Sequence, residues 1–411
     1  MSPVEKGILT HECARAHENT GTPHGFDMRL VVPLMAHGLL VQTVTGMLRV
    51  TTSYRVLELE LPVVWLGAIS ATFALLPIFL AVTIGRYIDR GHDARSTRIG
   101  SGLMLIGAIG LCFFAPTPVT VLAYTAVLGV GHLFLMASHQ MLCVRAAGDG
   151  NREAMFGNFL VTNGIGQGLG PFVIGWIGGA AKVPDTGPLF SIGLGVAVLS
   201  ALVSLAIPAA RTAPQEAKAQ AVTPVAELMR IPGFNISLIA SIITITAQDL
   251  IVIYLPLLGA ERSIDVNHIG MVLTVRSAAA IFARLFYAQM IVGVGRIPLT
   301  LWSMSLSGLA FVGLGAASSL PLMYLAAAIM GLGLGIATTL SLTSVLDLAP
   351  VTARATALSL RITGNRIGQV TLPFFASFVA AAFGAPGVLA TIGASLIASA
   401  VSVRLMRGGR E

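Results

Sequence analysis

Residues 163–172 read Asn-Gly-Ile-Gly-Gln-Gly-Leu-Gly-Pro-Phe, and residues 365–374 read Asn-Arg-Ile-Gly-Gln-Val-Thr-Leu-Pro-Phe. Six of these ten positions are identical at an offset of 202 residues, and Arg152 repeats as Arg354 at the same offset. The offset is about half of the 411-residue chain. A duplicated half in a very apolar chain indicates two similar helical bundles.

The composition places the chain in a membrane. It is 55% hydrophobic and only 10% charged, with a mean hydropathy of +0.84. Soluble domains have about 25% charged residues, so a soluble globular protein is excluded. The formal charge of +7 does not indicate nucleic acid as a partner, because the basic residues fall at predicted helix ends and not on one face.

A membrane-spanning helix needs about 20 mainly apolar residues. Glycine and proline are tolerated inside such helices because neighbouring helices satisfy the freed backbone groups. The sequence therefore predicts an all-α membrane protein of twelve transmembrane helices in two pseudo-symmetric six-helix bundles. The predicted spans are 28–50, 61–84, 97–116, 119–144, 154–180, 187–209, 233–258, 266–291, 298–317, 320–345, 354–383 and 386–405.

The polar stretches divide these spans into two domains and give their orientation. The predicted layout is an N-terminal tail (1–27), a first bundle (28–210), a linker (211–231), a second bundle (232–405) and a C-terminal tail (406–411). Basic residues concentrate in cytoplasmic loops. Only Arg49, Arg55, Lys182 and Arg262 fall in the predicted outer loops when both termini lie inside. We therefore expect a multi-pass protein of the cell inner membrane, with both termini, both tails and the linker in the cytoplasm.

A loop between the second and third predicted spans carries a recognisable motif. Residues 85–95 read Gly-Arg-Tyr-Ile-Asp-Arg-Gly-His-Asp-Ala-Arg. They resemble the signature G-x-L-x-D-R-x-G-R-R of the major facilitator superfamily, in which Gly85, Asp89 and Arg90 match. Tyr87 and His92 replace the leucine and the second glycine, and an Asp-Ala pair replaces the two basic residues.

This resemblance implies a conformational latch. A carboxylate at a helix end binds backbone N–H groups and arginines, so Asp89 would hold the two halves together in the outward-open state. Arg366, near the inner end of the eleventh span, is the candidate partner from the other half. The alternative is an ordinary solvated turn with positive-inside charges.

The fifth span carries a second resemblance, to the efflux branch of the superfamily, whose pattern is G-x8-G-x3-G-P-x2-G-G. Gly157, Gly166, Gly170, Pro171 and Gly175 fall on those positions. The resemblance implies an antiporter and favours export, whereas close helix packing is the alternative. An arginine that proton-driven exporters often carry in the fourth span is absent from residues 124–129.

Two ionisable residues lie inside the predicted spans, where such groups are costly and mark functional sites. Asp249 in the seventh span and Arg276 in the eighth are expected at a similar depth. We predict that they interact and that protonation of Asp249 breaks the pair and is linked to opening. The alternative is a static pair that only fixes helix packing.

Histidines supply further candidates. In this superfamily the first, fourth, seventh and tenth helices line the cavity, so His37, His132 and His139 are expected to bind protons or substrate. Simple hydrogen bonding is the alternative. His132, Met136, His139 and Cys143 also share one stripe of the fourth span. Their soft ligand atoms suit copper(I), although no partner ligands are identifiable on other helices.

These features together predict a secondary active transporter and not an enzyme. We expect proton-coupled export of a small amphipathic molecule by alternating access, driven by the proton gradient and without a cofactor. The expected partners are the substrate and the lipid bilayer, with a monomer as the default state. Uptake of a metabolite, or copper transport through the fourth-span stripe, is the alternative. A transporter-like receptor or a membrane-embedded enzyme is disfavoured because the sequence shows neither a large soluble domain nor a catalytic constellation.

Overall fold

The computed structural model describes residues 27–147, 152–209, 225–350 and 353–408. The first half consists of six long helices: α1 Met28–Glu58, α2 Val64–Asp89, α3 Asp93–Phe113, α4 Pro118–Ala147, α5 Arg152–Gly178 and α6 Thr186–Leu205. The predicted N-terminal tail, apart from residue 27, and residues 210–224 of the linker region lie outside the described ranges.

The second half repeats this arrangement with α7 Phe234–Glu261, α8 Val266–Leu285, α9 Arg296–Ala316 and α10 Leu320–Leu348. Two short helices, Val225–Met229 and Tyr287–Val294, precede α7 and follow α8. The last continuous helical segment, Arg354–Gly408, contains a break at Gly384, where φ is 66°. The break separates α11 (354–383) from α12 (385–408).

The break at Gly384 has a local cause. The positive φ is a conformation that glycine adopts without steric cost. The new helix that follows begins with an unpaired backbone donor. The Glu261 carboxylate at the end of α7 accepts that donor, the Ala385 N–H, at 3.0 Å. This contact fixes the hairpin between α11 and α12 against α7.

Ten helices of the described chain are long and apolar enough to cross a membrane. One of the ten, 356–405, comprises both α11 and α12. The remaining long helix, α5, has 27 residues. The predicted all-helical membrane fold with twelve spans is therefore confirmed, and the chain is a multi-pass integral membrane protein.

Two predicted boundaries are wrong. The first span was expected to end at residue 50, but α1 continues to Glu58, so Arg49 and Arg55 belong to the helix and not to an outer loop. An unpaired arginine would end an apolar span, whereas a paired arginine is tolerated within it, and Arg49 is paired. The eighth span, expected over 266–291, divides after Leu285 into α8 and the separate short helix Tyr287–Val294.

The two halves meet on one side of the molecule. We call the side on which α1 and α7 begin the linker side and the opposite one the far side. On the far side, the loop after α5 and the start of α8 form backbone hydrogen bonds: Val266 N–H to Ala181 O at 2.9 Å and Asn267 N–H to Gly179 O at 3.0 Å. These bonds close the far side.

Contact between the halves continues inward from the far side along α5 and α8. A Cβ added to Gly175 would lie 3.2 Å from Gly270 Cα, so the two helices pack backbone against backbone there. Nearer the linker side, a Cβ on Gly164 would lie 2.6 Å from Ile281 Cγ1 of α8. Among the described residues nothing lies within 4 Å of a Cβ built on Gly157, which is nearer still to the linker side. The contact of α5 with α8 therefore reaches Gly164, and Gly157 lies beyond it.

Candidate functional site

Asp249 lies in the middle of α7, at the boundary between the halves. Its Oδ1 accepts a hydrogen bond from Arg49 Nη1 of α1 at 2.5 Å, and its Oδ2 accepts one from Gln369 Nε2 of α11 at 2.6 Å. Gln369 Oε1 in turn accepts one from Arg366 Nη1 at 3.1 Å. The Arg49 and Asp249 side chains are only 15% and 18% exposed, so this ion pair joins the two halves inside the membrane.

The contacts extend further into the first half. The Arg49 guanidinium lies over the Phe73 ring, 4.9 Å from its centroid, a cation–π geometry. The Phe73 ring contacts His132 of α4, with centroids 5.4 Å apart. We call this set the central cluster, and it consists of Arg49, Phe73, His132, Asp249, Arg366 and Gln369.

The predicted pair of Asp249 with Arg276 is not formed. Asp249 binds Arg49 instead, because the longer α1 carries Arg49 to the same depth. Arg276 is 6% exposed. Its Nη2 donates to Ser277 Oγ at 3.3 Å, and its Nε has no hydrogen-bond partner among the described residues. Arg276 is thus a buried cation beside the central cluster.

The predicted latch residues lie apart from Arg366. Gly85, Asp89 and Arg90 are at the linker-side end of α2, where Asp89 and Arg90 are exposed. Within the described ranges Asp89 forms no ion pair or side-chain hydrogen bond. Arg366 belongs to the central cluster, bonded to Gln369. The predicted contact between Asp89 and Arg366 is therefore absent from this conformation.

Two residues that depart from the loop signature, Tyr87 and His92, contact each other. The rings of Tyr87 and His92 stack with centroids 4.5 Å apart and an interplanar angle of 7°. His92 Nδ1 also lies 3.1 Å from the Tyr87 carbonyl oxygen. Gly91, between them in the turn, has a φ of 86°, which glycine adopts readily. The two substituted positions therefore form one compact turn.

Sequence reasoning missed the strongest ionic contact of this loop. Asp93 is 3% exposed and accepts hydrogen bonds from Arg145 Nη1 on both carboxylate oxygens at 2.9 Å. Asp93 Oδ1 also accepts the Ala94 N–H at 2.6 Å. In the loop signature Asp93 stands only as a replacement for a basic residue. One feature of the sequence could have indicated this ion pair: Arg145 lies at the end of the fourth span, which packs against α3.

The glycines of α5 allow close packing on two sides. A Cβ on Gly170 would lie 2.8 Å from the Thr43 carbonyl of α1, and Gly166 packs against Leu39 of the same helix. Gly175 packs against α8, and the Pro171 carbonyl meets Gly270 there. In the described chain, no atom of another element lies within 4 Å of a Cβ built on Gly157. The motif thus lies where α5 contacts both its own half and the other half.

His37 and His139 form a buried pair inside the first half. His37 Nδ1 and His139 Nε2 are 2.7 Å apart, and His37 Nε2 is 2.9 Å from Ser101 Oγ. Ser101 donates to the Thr97 carbonyl, so it accepts from His37 Nε2–H, and His37 Nδ1 accepts from His139. This assignment leaves His139 Nδ1 as an acceptor with no partner in the described chain.

The stripe on α4 is not assembled into a metal site. His139 is bonded to His37, while Met136 accepts a hydrogen bond from Gln42 at 3.4 Å. Cys143 is fully buried in an apolar cluster near the linker side. No group of three or more His, Cys, Asp or Glu side chains in the described ranges is arranged to hold a metal ion. The copper alternative therefore gains no support.

Both halves match one family model, the Major Facilitator Superfamily, over residues 34–263 and 237–410. Together the two segments span most of the chain. The chain therefore belongs to the major facilitator superfamily, and it is a membrane transporter of a small molecule and not an enzyme. No curated protein sequence matches it.

Solved transporters share the fold. A point mutant of the nucleoside transporter NupG aligns with a TM-score of 0.80 and 15% identity, covering 92% of this chain and 99% of that one. A POT family transporter in complex with a thioalcohol-conjugated peptide gives 0.73 and 14%, covering 92% and 96%. Another, in complex with 5-aminolevulinic acid, gives 0.73 and 13%, covering 91% and 95%. At these identities the likeness concerns the fold alone.

Proposed function

We propose that the protein is a proton-coupled secondary transporter in which Asp249 binds the proton. The observation that carries this proposal is the ion pair of Asp249 with Arg49, which bridges the halves at their closed boundary. Protonation removes the negative charge, and with it the attraction to Arg49 and one acceptor for Gln369. Proton binding would therefore weaken the far-side closure and favour the outward-open state.

The proposal also assigns roles to three histidines of the first half, His37, His132 and His139. His132 touches the Phe73 ring that packs on Arg49, so it is placed to respond to the charge of the ion pair and to contact substrate. His139 Nδ1 is an acceptor without a partner in the described chain. We assign His37 and His139 a secondary proton-binding role. A further proton on this pair would be shared across the short contact between His37 Nδ1 and His139 Nε2.

The proposed orientation places the linker side in the cytoplasm of a cell with an inner membrane. On that side lie the helix ends that carry Arg86, Arg90, Arg95, Arg98, Arg145 and Arg296. Positive residues favour the cytoplasmic side, and the far side is closed by hydrogen bonds, so we assign the present conformation as inward-facing. One chain supplies both halves and the whole central cluster, which supports a functional monomer. The latch at Asp89 would close in the opposite state.

We propose export as the direction, with an inward proton driving an amphipathic molecule out. The support is the α5 glycine pattern, which lies where α5 packs against α1 and α8. Uptake is the second candidate, and one observation favours it. Arginines outnumber carboxylates around Asp249, and a substrate that neutralised them would make proton binding easier, as cotransport requires.

A substrate-independent experiment tests the proton site. Spin labels on cysteines replacing the exposed Thr117 and Ser318, in far-side loops of opposite halves, report the closure in a background without native cysteines. We expect the wild-type distance to lengthen as pH falls from 8 to 5. Asp249→Asn should show the long distance at every pH.

A matched control uses the second ion pair between the halves, Lys182 with Asp265, which lies at the far-side surface. Asp265→Asn should retain the pH response, since its carboxylate is not the proposed proton site. If the label distance still lengthens with falling pH in Asp249→Asn, the proposal is wrong. The direction of transport is tested separately, by growth of an exporter-deficient host in the presence of toxic compounds. Protection of the cells by the wild-type protein supports export, and increased sensitivity of the cells supports uptake.

A further inference from the structure

The interior of the membrane domain has a charge imbalance. Four arginines and one aspartate of the described chain lie more than six residues from either end of their helix. They are Arg49, Arg276, Arg361, Arg366 and Asp249. The four guanidinium groups exceed the single carboxylate by three positive charges. Ionisable groups at such depth are rare and are normally paired.

Two of these arginines are almost fully buried and have no carboxylate partner among the described residues. Arg276 and Arg361 are 6% and 8% exposed. Each has one hydroxyl acceptor, Ser277 Oγ at 3.3 Å and Ser341 Oγ at 3.2 Å, respectively. The Nε of each has no hydrogen-bond partner in the described part of the chain.

The third, Arg366, is bonded to the neutral side chain of Gln369. The charge of Asp249 acts on both Arg276 and Arg366, but the carboxylate itself is bonded to Arg49. One negative charge is thus shared among three guanidinium groups on three helices, α1, α8 and α11. Buried cations of this kind require further negative charge.

We propose that the substrate of this transporter is an organic anion, whose carboxylate, phosphate or sulfonate group binds Arg276 and Arg366. This assignment rests on the proposed transport function and names its substrate class. The planar guanidinium donates two parallel hydrogen bonds to such oxyanions. The anion supplies the negative charge that the surrounding side chains lack. Arg276 and Arg366 both lie near Asp249, the proposed proton site.

Arg361 lies on the path by which an anion from the linker side would reach Arg366. It precedes Arg366 by five residues on α11, which corresponds to about 7.5 Å toward the linker side. Its burial and its bond to Ser341 on α10 place it inside the second half. An anion that enters from the linker side meets the field of Arg361 before it reaches Arg366.

The test measures thermal unfolding of the purified full chain in detergent with ligands that differ only in charge. The anions are benzoate, phenyl phosphate and benzenesulfonate, benzamide is the neutral probe and benzylamine the cation. We expect at least one anion to raise Tm by several degrees, and the neutral and cationic probes to leave it unchanged. Equal stabilisation by benzamide, or no shift with any of the three anions, overturns the proposal.

Variants locate the effect. Arg276→Gln and Arg366→Gln should each abolish the shift caused by the anion, while Arg404→Gln, at an exposed position near the end of α12, should retain it. A shift that persists in both Arg276→Gln and Arg366→Gln overturns the assignment. Without ligand, Arg276→Gln should raise Tm, because it removes a buried uncompensated cation. A lower ligand-free Tm would make Arg276 a structural residue and also overturn the assignment.

The substrate class and the proton site can fail separately. The distance measurement on Asp249→Asn needs no ligand. A pH response lost in that variant, combined with no anion binding, leaves the transporter proposal standing and rejects only the substrate class. Anion binding with an unaltered pH response supports the substrate class and rejects Asp249 as the proton site.

Discussion

Arg145 and Asp347 occupy equivalent positions, 202 residues apart, at the ends of α4 and α10. Each forms an ion pair with the first turn of the preceding helix in its half: Arg145 with Asp93 on α3 and Asp347 with Arg296 on α9. The duplicated halves thus keep the same contact with the charges exchanged. The environments differ, since the Asp93 side chain is 4% exposed and the Asp347 side chain 52%.

This difference in burial predicts different energetic costs. Asp93→Asn leaves Arg145 without its buried partner, and we expect a loss of about 3–5 kcal/mol of unfolding free energy. Asp347→Asn removes an exposed pair and should cost less than about 1 kcal/mol. Denaturant unfolding in one detergent measures both variants side by side. Equal losses would contradict the role of burial.

The contact of α5 with α8 predicts a shift in conformation. Gly270→Ala places a methyl group against Pro171 and Gly175, and overpacking of this kind costs about 1–3 kcal/mol. Because the strain exists only while the far side is closed, we expect the 117–318 label distance to lengthen at pH 8. Gly157→Ala is the matched control, since nothing lies within 4 Å of that Cβ position. An unchanged distance in Gly270→Ala argues against this packing.

The surface pair of Lys182 and Asp265 predicts a response only at acidic pH. The hydrogen bond from Lys182 holds the pKa of Asp265 below its ordinary value of 3.8. A depressed carboxyl pKa adds stability that is present above the ordinary value and lost as pH falls through the folded one. The closing contribution of this pair should therefore stay constant from pH 8 to 5, begin to fall below about pH 4, and vanish once the pH lies below the lowered pKa.

The same labelled protein provides the measurement. The difference in far-side distance between wild type and Lys182→Gln should be constant from pH 8 to 5 and should shrink toward pH 3. A difference that changes mainly near pH 6 would mean that another group titrates at this contact, and the assignment to Asp265 would fail.

The histidine pair predicts a loss of stability with a retained proton response. His139→Leu leaves the His37 Nδ1 acceptor buried without its donor, and such a group costs about 1–3 kcal/mol. With Asp249 as the main proton site, the distance change between pH 8 and 5 should persist with a smaller amplitude. Tm and the label distance give the two readouts. Complete loss of the pH response would transfer the main proton site to the histidines.

Much of the fold was predictable from the sequence because the bilayer imposes a simple rule on helix length. Apolar runs located all twelve spans, and the repeat at residues 163–172 and 365–374 separated the halves. The errors arose where a charge lies inside a span. The hydropathy pattern ends the first span beside Arg49, because it does not show that another helix supplies Asp249 as the partner of this arginine.

The candidate site was predictable only in part. Asp249 stood out as an acid in an apolar span, but its partner depended on the relative depth of α1 and α7. Arg366 was assigned to the latch from its position along α11, while the structure places it beside Gln369. Asp93 was missed because its partner Arg145 is 52 residues away, a contact that only the packing of α3 on α4 creates.

The excess of buried arginines makes the empty transporter sensitive to voltage in the proposed orientation. Each elementary charge that crosses the full field of a 100 mV potential changes the free energy by about 2.3 kcal/mol. With the inside of the cell negative, a protein interior that carries uncompensated positive charge is favoured when it faces the cytoplasm. An energised cell would thus hold the substrate-free protein ready for cargo on the cytoplasmic side, and the return of the substrate-free, protonated protein would be the step that the membrane potential drives.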